Sequence, residues 1–309
     1  GVSGFEENII NYIFQSINSN TLDKIYVDNV GNLICYKKGK KSSKKVMISA
    51  HVDEVGIQIM KKIDERKYSF KVLGNIKCWN LLQQRMRSGN KMGIIFANDE
   101  TNIKAYNYSN LFINIISTDD NVNIGDVFSF DNKFEESNEY ICGKAIDNRI
   151  CCNILIDFIN NMPCLDNDIY CVFTVQEEIG MRGIRVAKTN IRPNIYINLD
   201  VSPESEMNNI EIKKGVGIVS SNSIGVSSCD LFKLMVDVAK KNNIIHQIEV
   251  SDCGTNELII SNEKDNGTKT IAISLPCKYI HTANTIVHKN DIKEFKKLLE
   301  IYIKNTREH

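Results

Sequence analysis

The 309-residue sequence predicts an α/β layered sheet that carries a small inserted β-domain, and three features of the chain predict it. Apolar, strand-like runs alternate with helical periodicity at both ends of the chain, as helices packed on a sheet require. One run, Val46-Met47-Ile48-Ser49-Ala50, is almost wholly apolar, which fits a central strand covered on both faces. From about Ile59 to Tyr140 that alternation stops, and short period-two segments follow one another, punctuated by Gly, Asn and Asp.

The elements are expected in this order. A helix runs from Glu6 to Ile17, then strands at Ile25 to Val27, Leu33 to Tyr36 and Val46 to Ala50, separated by Gly-Asn and Lys-rich Gly-Lys turns. The inserted stretch offers strands at Tyr68 to Val72, Lys91 to Phe96, Asn110 to Ile116 and Val127 to Phe130. Helix and strand then alternate again: a helix from Arg149 to Asn161, strands from Asp168 to Val175 and Ile195 to Leu199, an amphipathic helix from Asp230 to Lys241, a strand from Ile271 to Leu275 and a closing helix from Asp291 to Lys304. Residues 1–58 and 141–309 are therefore expected to form one domain, and residues 59–140 the insert.

Composition excludes some classes of function. The 38 basic residues balance the 38 acidic ones, so no broad positive field exists to attract nucleic acid or anionic lipid, and neither is expected as a partner. No apolar run is long enough to span a bilayer as a helix, and GVSGFEENII lacks the basic-then-apolar layout of a secretory signal, so the expected address is the cytoplasm. Ten cysteines are dispersed without CxxC pairs, many in apolar runs such as Tyr170-Cys171-Val172, and read as reduced core residues.

Five candidate metal ligands stand in short segments where strands end: His51 in SAHVDEVG, Asp147 in GKAIDNR, Glu178 in TVQEEIG, Asp200 in INLDVSP and His281 in KYIHTAN. Imidazole nitrogen and carboxylate oxygen suit zinc, cobalt or manganese, and five donors are too many for one tetrahedral ion. In open sheets the cleft lies beyond the carboxyl ends of the strands, where distant segments can converge. In His51-Val52-Asp53 the two polar side chains leave the same face of an extended segment, so Asp53 can accept from one imidazole N–H while the other nitrogen binds metal. Glu177 and Glu178 point to opposite sides as they leave a buried strand, which allows one carboxylate to bind metal and the other to act as a general base. Asp147 could bridge two cations, with Arg149 holding the loop around it, or could merely cap a helix. Taken singly, Asp200 and His281 also have ordinary structural explanations.

The series HVDE, GKAIDNR, TVQEEIGMRG, NLDVSP and ISLPCKYIHTAN resembles, segment by segment, the glutamyl and deblocking aminopeptidase family, which includes the tetrahedral aminopeptidases and members labelled cellulases. The resemblance spans the chain, from GVSGFEE through LLQQRMRSG and LFINI to the last helix. It implies a three-layer α/β/α catalytic domain around a mixed sheet, with a barrel-like insert that serves oligomerisation and access. It further implies two divalent ions per subunit, zinc or cobalt or else manganese. His51 and Asp200 would hold one, Glu178 and His281 the other, with Asp147 bridging, Glu177 as general base and Asp53 as the partner of His51. The activity implied is a dinuclear aminopeptidase that releases N-terminal residues from short peptides by attack of an activated water. Dimers or a tetrahedral dodecamer are the implied assemblies.

Some segments depart from the family pattern. Cys253-Gly254-Thr255-Asn256 stands where Gly-Gly-Thr-Asp is usual, and the insert is trimmed around Ala97 to Asn107, without the Pro-x-His segment often seen there. His288 is expected at the surface and His246 in packing. The alternatives are a carboxypeptidase or deacylase on the related fold, which the Ala-Ile-Asp-Asn-Arg motif disfavours, and a non-catalytic assembly homologue, motivated by the altered segment. A glycosidase is weaker, since its two carboxylates must flank a sugar bond and Glu177 and Glu178 are chain neighbours.

Overall fold

The computed structural model describes residues 1–98, 107–117, 121–252, 257–258 and 267–306. The chain opens with α1 (Glu7–Ser16), β1 (Lys24–Val27), β2 (Leu33–Lys37) and β3 (Lys45–His51). It then enters β4 (Gly56–Lys62), β5 (Lys67–Leu73), α2 (Cys78–Leu81), β6 (Arg85–Ser88), β7 (Lys91–Ala97), β8 (Leu111–Ile115) and β9 (Val127–Phe130). It returns through β10 (Glu135–Glu136), β11 (Tyr140–Gly143), α3 (Ile146–Asn160), β12 (Asp168–Thr174), α4 (Arg182–Ile191) and β13 (Ile195–Pro203). The last elements are β14 (Val216–Ser221), α5 (Cys229–Lys241), β15 (His246–Val250), β16 (Lys269–Lys278), β17 (Thr285–His288) and α6 (Lys289–Asn305).

Eleven strands form one sheet in the order β1-β2-β12-β3-β13-β16-β17-β11-β10, with β14 joined to β16 and β15 to β14. The central strands β12, β3, β13 and β16 run parallel, while β2 and β17 flank them antiparallel, so the sheet is mixed as expected. Alternation sorts the side chains between the two faces. Val46, Ile48 and Ala50 of β3 and Ile195, Ile197 and Leu199 of β13 join the core packed by α1, α3, α5 and α6. Met47 and Tyr196 instead join Ile184, Ala187 and Ile191 of α4 on the other side. Three layers result. By the same period of two, His51 shares a face with Met47 and Asp200 shares it with Tyr196.

Strands β4, β5, β8, β7, β6 and β9 close into a six-stranded barrel around Ile57, Ile59, Phe70, Met86, Ile95, Ile113, Phe128 and Phe130. Closure leaves no exposed strand edge, which suits so small a sheet. Two details differ from the expectations. Asp200 lies inside β13, because that strand continues to Pro203 by pairing with Pro276 and Cys277 of β16. His288 is not a surface residue: it is 6% exposed, paired across the ladder with Tyr140 and edge-on to that ring. No helix among the described residues is long and apolar enough to cross a membrane.

Candidate metal centre and cleft

His51 ends β3 and is buried, so its imidazole sits at the carboxyl edge of the sheet. Its Nε2 lies 3.0 Å from Asp147 Oδ1, 3.6 Å from Asp200 Oδ1 on the neighbouring strand and 3.9 Å from Glu177 Oε2. Asp147 does not cap α3. The capping position is Ala145, in the left-handed region, and Asp147 itself has an extended ψ of 106° that swings its carboxylate into the cleft. Its second oxygen, Oδ2, lies 3.1 Å from His281 Nε2, which is also 3.2 Å from Glu178 Oε2. The other imidazole nitrogen of His281, Nδ1, is 2.8 Å from the Asn75 carbonyl, so a proton there donates to the barrel and leaves Nε2 facing the cleft.

The donors thus fall into two groups that share one residue: His51, Asp147 and Asp200, and then Asp147, Glu178 and His281. Asp53 stands behind them. Its carboxylate accepts from the Glu177 amide at 3.0 Å, the Glu178 amide at 3.1 Å and the Ser3 hydroxyl at 2.6 Å. His51 Nδ1 reaches the Asp53 backbone carbonyl at 3.2 Å, with the Asp53 carboxylate 3.5 Å away.

Burial dominates the electrostatics. It pushes the Glu177 carboxyl well above its ordinary range, raises Asp200 and brings Glu178 to about 6, where the Asp147 charge adds to it. For Asp147 burial works in the same direction, but hydrogen bonds from His281 and His51 prevail and hold it below the usual carboxylate range. Burial lowers both histidines, yet the acids around them win: His51 stands well above its ordinary value through Asp147, Asp200 and Asp53, and His281 reaches about 11 through Asp147 and Glu178. Glu178 Oε1 is buried with no partner of its own. Four carboxylates, two imidazoles, a shared aspartate and an orphaned oxygen fit a pair of divalent cations, because such a density of buried acid needs positive charge.

These groups floor a cleft of about 680 Å³. Asn75, Lys77 and Trp79 of the barrel form part of its wall, and Tyr279 lies at its mouth. Glu249 also lines it, its carboxylate accepting from Ser202 at 2.6 Å. Beneath it the buried Glu257 accepts from Ser49, Thr174 and Tyr196 at 2.5, 2.8 and 2.9 Å, tying together the strand ends that carry the donors. All seven residues singled out in the sequence are brought together. Arg149 reaches Glu54 at 2.9 Å and Lys144 reaches it at 2.7 Å, a buried acid with two cations that the motif alone does not announce. Ser3, Glu6, Asn32 and Asn75 carry no signal in the sequence, since Glu6 and Asn32 accept from backbone amides, Asn75 acts through its own carbonyl and Ser3 donates to Asp53. Cys253 to Asn256, and most of the trimmed stretch of the insert, lie outside the described residues.

Histidine and carboxylate donors at the carboxyl ends of parallel strands, under a cleft walled by a barrel, form a site that could hold metal ions and has the layout a metal-dependent hydrolase requires. The model of the M42 glutamyl aminopeptidases matches residues 31–298. A protein of Acetivibrio thermocellus named as an aminopeptidase is 33% identical over 97% of this chain and 93% of its own length. Among solved structures, an aminopeptidase from the archaeon Desulfurococcus kamchatkensis superposes with a TM-score of 0.92 at 25% identity, covering 99% of this chain and 91% of that one. The TET1 peptidase of Pyrococcus horikoshii, which can assemble into a tetrahedron or a large octahedral shell, superposes at 0.88 with 27% identity, covering 99% and 96%. The chain belongs to the M42 glutamyl aminopeptidase family. It is a peptidase of the aminopeptidase type, and the two donor groups could hold the metal on which that family depends.

Proposed function

We propose that this chain is a dinuclear metal-dependent aminopeptidase that removes N-terminal residues from short peptides, with Glu177 as general base. The observation that carries the reading is Asp147, whose two oxygens face His51 and His281 separately at 3.0 and 3.1 Å. His51 and Asp200 would hold one cation, Glu178 and His281 the other, and Asp147 both. Zinc, cobalt and manganese suit these donors, and such a pair supplies Lewis acidity toward a carbonyl and toward water.

The chain's own groups do the rest. The Glu177 carboxylate is buried 3.9 Å from His51 Nε2, where it would take a proton from water and hand it to the leaving amine. Asp53 orients His51 on one side and the amides of Glu177 and Glu178 on the other. Lys77 and Trp79 of the barrel form part of the cleft wall, where they would bound the approach of a peptide. Residues 59–140 would serve access and self-association into dimers or a tetrahedral dodecamer, a reading supported by the likeness to TET1. Nine cysteines stand unpaired among the described residues, in keeping with the cytoplasm as its setting.

A panel of aminoacyl and N-acylated chromogenic substrates, run with added zinc, cobalt or manganese, tests the reading. Cleavage of the free-amine substrates alone is expected; cleavage of the acylated ones alone makes the protein a deacylase, and inertness with metal bound makes it an assembly homologue. Glu177→Gln should keep its metal and lose about 100-fold or more in turnover. A fully active variant would remove Glu177 from the mechanism.

A further inference from the structure

The turn that carries Glu177 leaves β12, and its amides find their acceptors elsewhere in the chain. Four successive amides donate to side chains of three remote segments. Val175 N–H donates to Asn32 Oδ1 at 3.0 Å, Gln176 N–H to Glu6 Oε1 at 3.0 Å, Glu177 N–H to Asp53 Oδ1 at 3.0 Å and Glu178 N–H to Asp53 Oδ2 at 3.1 Å. Gln176 has a φ of +57°, a left-handed conformation that costs a non-glycine residue about 1–2 kcal/mol and so must be imposed by its surroundings. The group that meets its amide is Glu6.

Glu6 is 6% exposed, and the same Oε1 accepts from the Gly4 amide at 2.7 Å, which fixes the carboxylate before it reaches Gln176. Ser3, 2% exposed, donates to Asp53 Oδ2 at 2.6 Å and so pins the acid that holds the next two amides. The segment itself is anchored, because α1 follows at once and buries Ile10 and Ile13 in the main core.

We propose that Ser3 and Glu6 are positioning residues: the segment before α1 clamps the Gln176–Glu178 turn and thereby sets where the Glu177 carboxylate meets the reacting water. Neither residue lines the cleft. The inference rests on Glu177 being the general base, and it adds a reason why so distant a segment is tied to the cleft. A carboxylate oxygen that accepts two backbone N–H groups can be replaced by an amide oxygen but not by a methyl group. Glu6→Gln therefore preserves the clamp and Glu6→Ala removes it; Ser3→Thr and Ser3→Ala form the parallel pair.

The test uses the full chain loaded with zinc or cobalt, with bound metal and thermal unfolding recorded for every variant. Glu6→Ala is expected to lower kcat by about 10- to 100-fold with KM within about twofold, the scale of a misplaced catalytic group, while Glu6→Gln keeps most of the wild-type kcat. Ser3→Ala should lose less, and Ser3→Thr should restore it. Amide hydrogen exchange over residues 174–179, read by mass spectrometry, should quicken in Glu6→Ala and stay at the wild-type rate in Glu6→Gln. Unchanged kcat and exchange in Glu6→Ala overturn the proposal, as does equal loss in the Ala and Gln variants, which marks a merely structural or charge effect. If Glu6→Ala does not fold, the Ser3 pair decides by the same two readouts. If the wild-type chain hydrolyses no aminoacyl substrate, the aminopeptidase reading fails, and the exchange measurement alone still rules on the clamp.

Discussion

His51 and Asp200 leave paired parallel strands at the centre of the sheet, 2% and 5% exposed, whereas Glu178 and His281 come from loops, and the His281 side chain is 20% exposed and leans on the barrel through the Asn75 carbonyl. The first half of the site therefore inherits its geometry from ladder hydrogen bonds and from the buried network around Glu257. The second half exists only where the barrel docks on the sheet. If the site is the dinuclear one proposed above, it would have one rigid and one adjustable seat, joined by the two oxygens of Asp147.

The sharpest way to break the comparison is to remove the shared residue. Asp147→Ala should release metal from both seats and reduce hydrolysis on the order of 1,000-fold or more, the scale of transition-state stabilisation that such cations provide. Bound metal counted by elemental analysis checks it, and retention of one ion would mean that the seats are independent. Next come the two histidines, compared as alanine variants. His281→Ala should lose one ion and keep the other, with little effect on the metal-free fold. His51→Ala leaves Asp147 and Asp200 buried without their imidazole and should lower the stability of the metal-free protein by about 3–5 kcal/mol in urea unfolding. Equal costs for the two would abolish the distinction between the rigid and adjustable seats.

A finer probe is Gly74, in the barrel loop beside the second seat. Its φ is +87°, and a Cβ there would meet Val55 Cγ1 at 2.6 Å and Glu178 Cβ at 3.4 Å. Gly74→Ala should weaken the His281 seat alone by about 10-fold, as loss of support behind a ligand does, while the His51 seat keeps its affinity. The smallest effect expected is a proton count. With its pKa raised to about 11, His281 carries a proton in the metal-free protein at pH 8 and must release it to bind a cation. Binding should therefore tighten as pH rises toward that value, and its calorimetric enthalpy should depend on the ionisation enthalpy of the buffer. Independence from the buffer would mean that the imidazole binds without giving up a proton.

The main strands and helices were legible because their alternation is strong. β3, β12, β13 and β16 each bury long apolar runs, and α1, α5 and α6 each place their apolar residues on one side. Some elements that the sequence does not announce bury little, while β14 and β17 bury most of their residues but are only six and four residues long. β6, Arg-Met-Arg-Ser, places only Met86 inside, and α4 carries Gly, Arg, Lys and Thr around a narrow stripe of Ile184, Ala187 and Ile191. His288 misled for a related reason: a lone histidine before Lys289 and Asn290 looks solvated until the ladder with Tyr140 covers it. In the site the donor atoms could be read because metal-binding chemistry is confined to few side-chain types. Their supports could not, since the Asn75 carbonyl and the amides of Val175 to Glu178 belong to the backbone that every residue has.

By itself the sequence determined which side chains can bind a cation, which strands are covered on both faces and, through the two-residue period of an extended segment, that the side chains of His51 and Asp53 leave the same side. Those are local properties, and local chemistry is enough to set them. Only the tertiary structure decided that Asp147 turns one oxygen to each histidine, that Asp53 commits its carboxylate to the amides of the two glutamates, and that the barrel lends a carbonyl to His281. Each depends on which strands lie side by side and in what register, and that order is settled by packing between segments far apart in the chain.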